Sequence, residues 1–318
     1  LSQQGNRGYE EQHQKRFLSA LLLSAMLPYV VTLAWTGRLQ SKDPAGFSGL
    51  WKEEGQTFSV SLEDCIPVML AAWIPADYGE ETLKAQAVLL RTWLGREFGK
   101  EKEVSRKELE EKISVLLNQE EPGELWETAG LSETYGRLKQ ASEATKGLAL
   151  TWEGELIEPF FCRASAGMTR SRGEDYPYLK QTESPGDFLA DGFYTVISMS
   201  PGQLADRINE IPGAVFADGS DFPGRIQVVE RDGAGYVRQI QMGEKTYTGE
   251  EVQEALELPS ACYEFSEEGG SIRVTCKGMG HGYGFSQAGA NELEKEGKTW
   301  EELLNYYFQN VEIVKMWE

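Results

Sequence analysis

Leu148-Ala-Leu-Thr-Trp-Glu-Gly-Glu-Leu-Ile-Glu-Pro-Phe-Phe-Cys162 is where the chain changes its period. LALTW and ELIEPFFC flank Glu153-Gly154, a pattern that predicts a β-hairpin closed by a tight turn. Upstream, the apolar spacing is helical. Leu83, Ala87, Leu90 and Leu94 fall at offsets of 0, 4, 7 and 11, one face of an α-helix. Pro75 and Gly79 separate that helix from a preceding helical run, Leu62–Trp73. Ser105-Arg-Lys-Glu108 is a capping box that predicts a further helix, residues 119–130 read as a loop, and Ser132–Lys146 as a helix stopped by Gly147.

Downstream, 163–192 has little periodicity and predicts a long irregular segment. Ser200-Pro201 opens a short helix, and strands are expected around 225–231 and 235–241, joined by Asp232-Gly233. Thr248-Gly-Glu-Glu251 is another capping box, and helices are expected from Ser286 and Thr299. The result is an α+β plan: helices in the N-terminal half, short antiparallel strands and hairpins, then helices at the C-terminus.

A net charge of −20 excludes binding to nucleic acid or anionic lipid through bulk attraction. An uncharged glycan or a cationic partner fits better. The eight Trp suit either sugar stacking or a core.

Phe17–Trp35, FLSALLLSAMLPYVVTLAW, carries no charge and is just long enough to cross a bilayer. Lys15 and Arg16 precede it and place the N-terminus inside. A cleaved signal peptide or a buried helix are the alternatives. The expected organisation is a cytoplasmic tail and membrane anchor at 1–37, a linker at 38–60, and an extracytoplasmic domain at 61–318. This makes a single-pass cell-membrane protein with most of the chain outside, where disulfides persist. Cys262 and Cys276 lie at equal distance from Gly269 in the hairpin pattern ACYEF…SIRVTC, so a bridge between them is expected. Cys65 and Cys162 are a second bridge or two buried thiols. No CxxC or Cys/His zinc spacing exists, so neither metal nor other cofactor is expected.

Lys277-Gly-Met-Gly-His-Gly-Tyr-Gly-Phe-Ser-Gln-Ala-Gly-Ala290 alternates glycine around His281. Such a backbone allows close approach of a ligand or another main chain. With His13 the only other histidine, imidazole chemistry in the folded part rests on His281.

Three separated motifs coincide with one family. They are Leu83-Lys-Ala-Gln-Ala-Val88 with Arg91-Thr92; Thr145-Lys-Gly-Leu148 through Ser165-Ala-Gly167, Thr169 and Tyr178–Pro185; and Gly280-His-Gly282, Gly284, Ser286-Gln287, Gly289-Ala290 with Tyr306-Tyr307. The chain resembles, over roughly 60–315, the stage II sporulation protein D family of peptidoglycan lytic transglycosylases. The resemblance implies cleavage between N-acetylmuramic acid and N-acetylglucosamine during spore engulfment. The sugar's own 6-hydroxyl displaces the leaving group, so one carboxylic acid suffices as acid and then base. Peptidoglycan glycan strands, sporulation engulfment proteins and the membrane are the implied partners.

Two positions depart from the family. Its catalytic Glu directly precedes a hydrophobe-Pro pair, and here that stretch reads Ala71-Ala72-Trp73-Ile74-Pro75. Trp73 has no transferable proton, though it suits stacking on a sugar. The family's His-Ser-Thr-Ser-Gly-Gly is Cys162-Arg-Ala-Ser-Ala-Gly167 here, which removes the His of a zinc site that some members are thought to build. Asp77 and His281 are the candidate replacements for the acid, with acids at 174–187 behind them. Trp73, Lys84, Gln86, Arg91, Ser165, Gly280, His281, Gly282, Ser286 and Gln287 are the candidate substrate-binding residues. Arg91 orients an acetamido group or pairs with a carboxylate; Ser286 and Gln287 bind sugar hydroxyls or cap a helix; Glu81 reads as a helix-start charge. The expected function is a membrane-anchored glycan-binding relic of the lytic fold. The alternatives are an active lytic transglycosylase with a relocated acid, or a plain interaction domain without glycan affinity.

Overall fold

The computed structural model describes residues 52–54, 57–99, 103–105, 131–214 and 226–316. The apolar run Phe17–Trp35 and most of the Ser105–Glu108 capping box lie outside them. Among the described residues no helix is long and apolar enough to cross a membrane.

The first strands are β1 (Lys52–Glu54), β2 (Thr57–Ser61) and β3 (Glu103–Ser105), paired antiparallel in that order. The first two lie in the stretch expected as linker. Three helices follow, α1 (Leu62–Trp73), α2 (Glu80–Phe98) and α3 (Leu131–Ala144). The predicted face of α2 packs as the spacing demands: Leu83, Ala87, Leu90 and Leu94 join Leu62, Ile66, Leu70 and Trp73 of α1 and Leu138 and Ala141 of α3. The opposite face, Ala85, Val88 and Leu89, is buried as well. It meets Leu150 of β4 (Leu148–Trp152) together with Phe285, Leu303 and Tyr307. A helix apolar on both sides must lie inside the molecule, and α2 is its central element.

The hairpin that opened the sequence argument is real but short. β4 pairs with β5 (Glu155–Leu156) across Glu153-Gly154, both at positive φ. Ile157 still donates to the Leu150 carbonyl, but Pro159 has no N–H to continue the ladder. The chain leaves, and β6 (Phe161–Cys162) pairs in parallel with β13 (Phe285–Ser286) instead. That long-range pair joins the central motif to the glycine loop.

Residues 194–277 form a second core. β7 (Tyr194–Met199), missed in the sequence, flanks the expected hairpin of β11 (Tyr263–Glu268) and β12 (Ser271–Lys277). β8 (Ile226–Arg231), β9 (Val237–Met242) and β10 (Lys245–Thr248) form a separate antiparallel sheet. α4 (Pro201–Ile208) and α5 (Gly249–Ala255) both open on complete capping boxes and help to cover this core. α6 (Gln287–Lys295), α7 (Trp300–Tyr307) and β14 (Glu312–Lys315) return to α2 and β4.

The Cys262–Cys276 bridge is not formed. Both are free thiols, and the register sets Tyr263, not Cys262, opposite Cys276. Counting from Gly269 alone missed a hairpin turn of Gly269-Gly270, which moves the register by one residue. Cys65 and Cys162 are buried and form no disulfide.

Candidate functional site

α1 ends at Trp73, where the family motif places its acid. The Ile74 N–H closes the last turn on the Leu70 carbonyl at 3.1 Å, and Pro75 follows. The loop to α2 is pinned from two directions. Arg137 donates to the carbonyls of Ala76 (2.7 Å) and Tyr78 (2.8 Å), and Asn291 accepts from the Gly79 N–H at 2.9 Å. The start of α2 has no cap of its own. Glu294 supplies it from α6, accepting from the N–H groups of Glu81 (3.0 Å) and Thr82 (2.9 Å) and from the Thr82 hydroxyl (2.7 Å). A carboxylate at a helix N-terminus meets both orphan donors and the positive end of the dipole.

Trp73 is only 6% exposed, with its side chain in the apolar cluster of α1 and α2. A ring seated there cannot stack on a sugar, so that role is corrected: what Trp73 offers the site is its carbonyl. Gln287 Nε2 donates to this carbonyl at 2.8 Å and to Gln86 Oε1 at 3.1 Å. Gln86 Nε2 is buried and has no partner among the described residues. Gln86 and Gln287, two separate substrate-binding candidates of the sequence, therefore come together at the Trp73 position as a buried amide relay.

Ser165 and Ser286 converge on a residue the sequence left in a window of acids, Asp187. Both serine hydroxyls donate to its carboxylate, Ser286 at 2.6 Å, and the Ser165 N–H donates to Ser286 Oγ at 3.1 Å. Ser184 and the Gly289 N–H complete the shell, and the Tyr307 hydroxyl lies 2.9 Å from Ser184 Oγ. Burial pushes the Asp187 carboxyl above its usual range, against the pull of these four donors. Its exposure is 0%, so all of its lone-pair directions face protein. Asp187 clamps the irregular segment to the start of α6. In the sequence it stood only as one of the acids of 174–187.

His281 is tied into its loop through its ring nitrogens. Its Nδ1 accepts from the Tyr283 N–H at 3.0 Å and the ring also bonds the Phe161 main chain. Burial, reinforced by Arg170 and Arg172, lowers its pKa to about 4. Its role is to order the loop. Two of the glycines around it admit close protein contacts: a Cβ on Gly282 would meet the Tyr236 hydroxyl at 2.3 Å, and one on Gly284 the Phe160 carbonyl at 2.1 Å. Gly280 donates its N–H to the Pro259 carbonyl at 2.8 Å.

Arg91 is fully buried and takes the carboxylate reading. It makes a two-pronged pair with Glu63 at 2.7 and 3.1 Å and also donates to the carbonyls of Leu148 and Ser142. Lys84 is held by Glu80 and Glu81, both at 2.8 Å. Glu81 also accepts from the Trp300 N–H at 2.9 Å, so it is structural as expected. Asp77 is exposed in the pinned loop. Beside it, Tyr78 is half-buried. Burial raises its pKa, and Arg163, Asp77, Asp187 and Glu292 act on it electrostatically.

The residues at the family's zinc position do not fit a metal. Cys162 is fully buried, and among the described residues no group of three or more His, Cys, Asp or Glu side chains is gathered to hold one.

The family model described as Stage II sporulation protein, SpoIID, matches residues 52–152. Stage II sporulation protein D of Bacillus subtilis (strain 168) is 31% identical over 269 residues, covering 80% of this chain and 75% of the relative. The protein of the same name from Bacillus amyloliquefaciens is 29% identical over 270 residues, covering 80% and 74%. An uncharacterized protein of Brachyspira hyodysenteriae is 23% identical over 264 residues, covering 80% and 67%. With that identity over that share of both chains, joined to the motif geometry above, the chain belongs to the stage II sporulation protein D family of sporulation proteins.

Proposed function

We propose that this chain is a membrane-anchored, extracytoplasmic protein that binds peptidoglycan glycan strands during sporulation and has lost the lytic step. The observation that carries the reading is Trp73. The resemblance assigns the proton donor to this position, and here an indole fills it, pointing into the core with its carbonyl tied to Gln287. Loss of a general acid costs about 10²–10⁴-fold in rate. The other acid-base candidates are differently employed: His281 has both ring nitrogens engaged and Asp187 is enclosed by its four donors. Such a protein serves as a scaffold for the engulfment machinery or tunes an active partner. Incubation with glycan strands stripped of their peptide stems should give retention of the strand and no anhydro-muramic product. Appreciable product would overturn the proposal.

The second reading is an active lytic transglycosylase with a relocated acid. It is favoured by the exposure of Asp77 four residues beyond Trp73, in a loop fixed by Arg137 and Asn291. It requires Asp77→Ala to abolish product formation while leaving strand binding intact.

A further inference from the structure

Arg172 is an arginine of this acidic chain whose charge is met by rings and not by a carboxylate. Arg91, Arg96, Arg170, Arg207, Arg238 and Arg273 each pair with a Glu or an Asp. Arg172 is exposed and makes no ion pair or side-chain hydrogen bond among the described residues, in a protein with 51 Asp and Glu. Its guanidinium instead lies against aromatic rings, with its central carbon 4.5 Å from the centre of Phe160, 4.7 Å from Tyr176 and 5.5 Å from Tyr283.

Those rings are locked to one another. Phe160 meets Tyr176 edge-on at 5.7 Å and Tyr283 at 6.1 Å, and His281 closes the cluster 5.6 Å from both Phe160 and Tyr283. Tyr176 and Tyr283 are half-buried, so part of each ring faces solvent. A guanidinium held against rings and making no side-chain hydrogen bond keeps its N–H groups available, and such a fork receives a carboxylate in two-pronged fashion. Aromatic surface beside it suits the apolar C–H face of a sugar. The neighbouring Arg170 adds no free charge, because Asp232 and Glu250 neutralise it. His281 adds none near neutral pH, since its pKa is about 4. One unpaired cation matches one anionic charge, which favours a single carboxylate over a densely charged phosphate polymer.

We propose that Arg172, with Phe160, Tyr176 and Tyr283, forms a subsite that takes a carboxylate-bearing sugar of the glycan strand, through the lactyl carboxylate of a stem-free muramic residue. The subsite rests on the glycan-binding reading above and names the group recognised. Phe160 precedes Phe161, which packs against the cluster that holds Trp73, so the subsite and the Trp73 position are joined through adjacent residues of one segment.

The test uses the full chain and calorimetric binding to stem-free glycan strands, as prepared and with their carboxylates methyl-esterified. Esterification should weaken binding of the wild type about tenfold, the scale of one charge-assisted hydrogen-bond pair. Arg172→Ala should bind the acidic strand about tenfold more weakly and be indifferent to esterification. Arg172→Gln, which keeps a polar stem against the rings, should show the same indifference, and serves if the alanine variant fails to fold. An Arg172 variant that folds and keeps the full response to esterification would overturn the subsite. So would a wild type that binds both strands alike, and in that case glycan binding itself survives. A wild type that binds neither strand removes the glycan reading and the subsite together. Poly(glycerol phosphate) that binds through Arg172, with no carboxylate response from the glycan, would overturn the choice of anion.

Discussion

At the scale of single residues, Arg91 and His281 show how a motif position is used for folding. Arg91 is enclosed by Glu63 and by main-chain carbonyls from α2, α3 and β4. Removing one partner of such a pair leaves a buried charge uncompensated and costs about 3–5 kcal/mol, whereas replacing both with apolar groups costs far less. Glu63→Ala should therefore lower the urea midpoint sharply, and Glu63→Leu with Arg91→Met should recover most of the loss. His281 makes a pH prediction. Its pKa is lowered from 6.5 to about 4, so between these values the unfolded chain binds the proton and the folded chain does not. Stability then rises with pH through that window and is lost as pH falls from about 6.5 towards 4, by about 3 kcal/mol in full. Unfolding free energies measured across pH 4–7 should show this slope, and His281→Asn should flatten it.

At the scale of elements, the junction of α2 with α6 holds the site in place. Glu294 caps α2, Asn291 holds the Gly79 N–H, and Gln287 holds the Trp73 carbonyl, so one face of α6 fixes both ends of the α1–α2 loop. Losing a helix cap costs about 0.5–2 kcal/mol. Glu294→Ala should cost about 1–2 kcal/mol, and amide exchange should speed up first at Glu81 and Thr82. Glu294→Gln, which still accepts hydrogen bonds but lacks the charge, should cost less. The glycine loop is less forgiving. Gly284 has φ 71° with the Phe160 carbonyl in the space a Cβ needs. Gly284→Ala should destabilise by about 1–3 kcal/mol, read as a drop in melting temperature.

At the scale of the whole molecule, a net charge of −20 sets how an acidic strand is met. Long-range repulsion opposes the encounter and salt screens it over about 8–10 Å. The association rate with stem-free strands should therefore rise with ionic strength, which stopped-flow measurements at 20 and 200 mM salt would detect; a fall would place the encounter on a cationic surface. The same scale decides what could be read in advance. The helical spacing of Leu83–Leu94, the capping box at Thr248 and the helix starts at Ser200 and Thr299 act within a turn or two, and each stands where it was expected. β7, β14 and the β6–β13 pair draw their partners from distant parts of the chain, so no local pattern announces them. The site divides in the same way. Gln86, Ser165, Ser286 and Gln287 were legible as motif members, but the enclosure of Asp187, the inward turn of Trp73 and the spent nitrogens of His281 are properties of packing.

The cap on α2 has one more effect. Its acceptor lies 212 positions downstream of the amide it serves. As the chain emerges from the ribosome or a translocation channel, the central helix arrives early with an open first turn and two apolar flanks. Its first turn gains this cap only once α6 has been delivered. A truncation that removes Glu294 leaves the first turn of the central helix without its long-range cap.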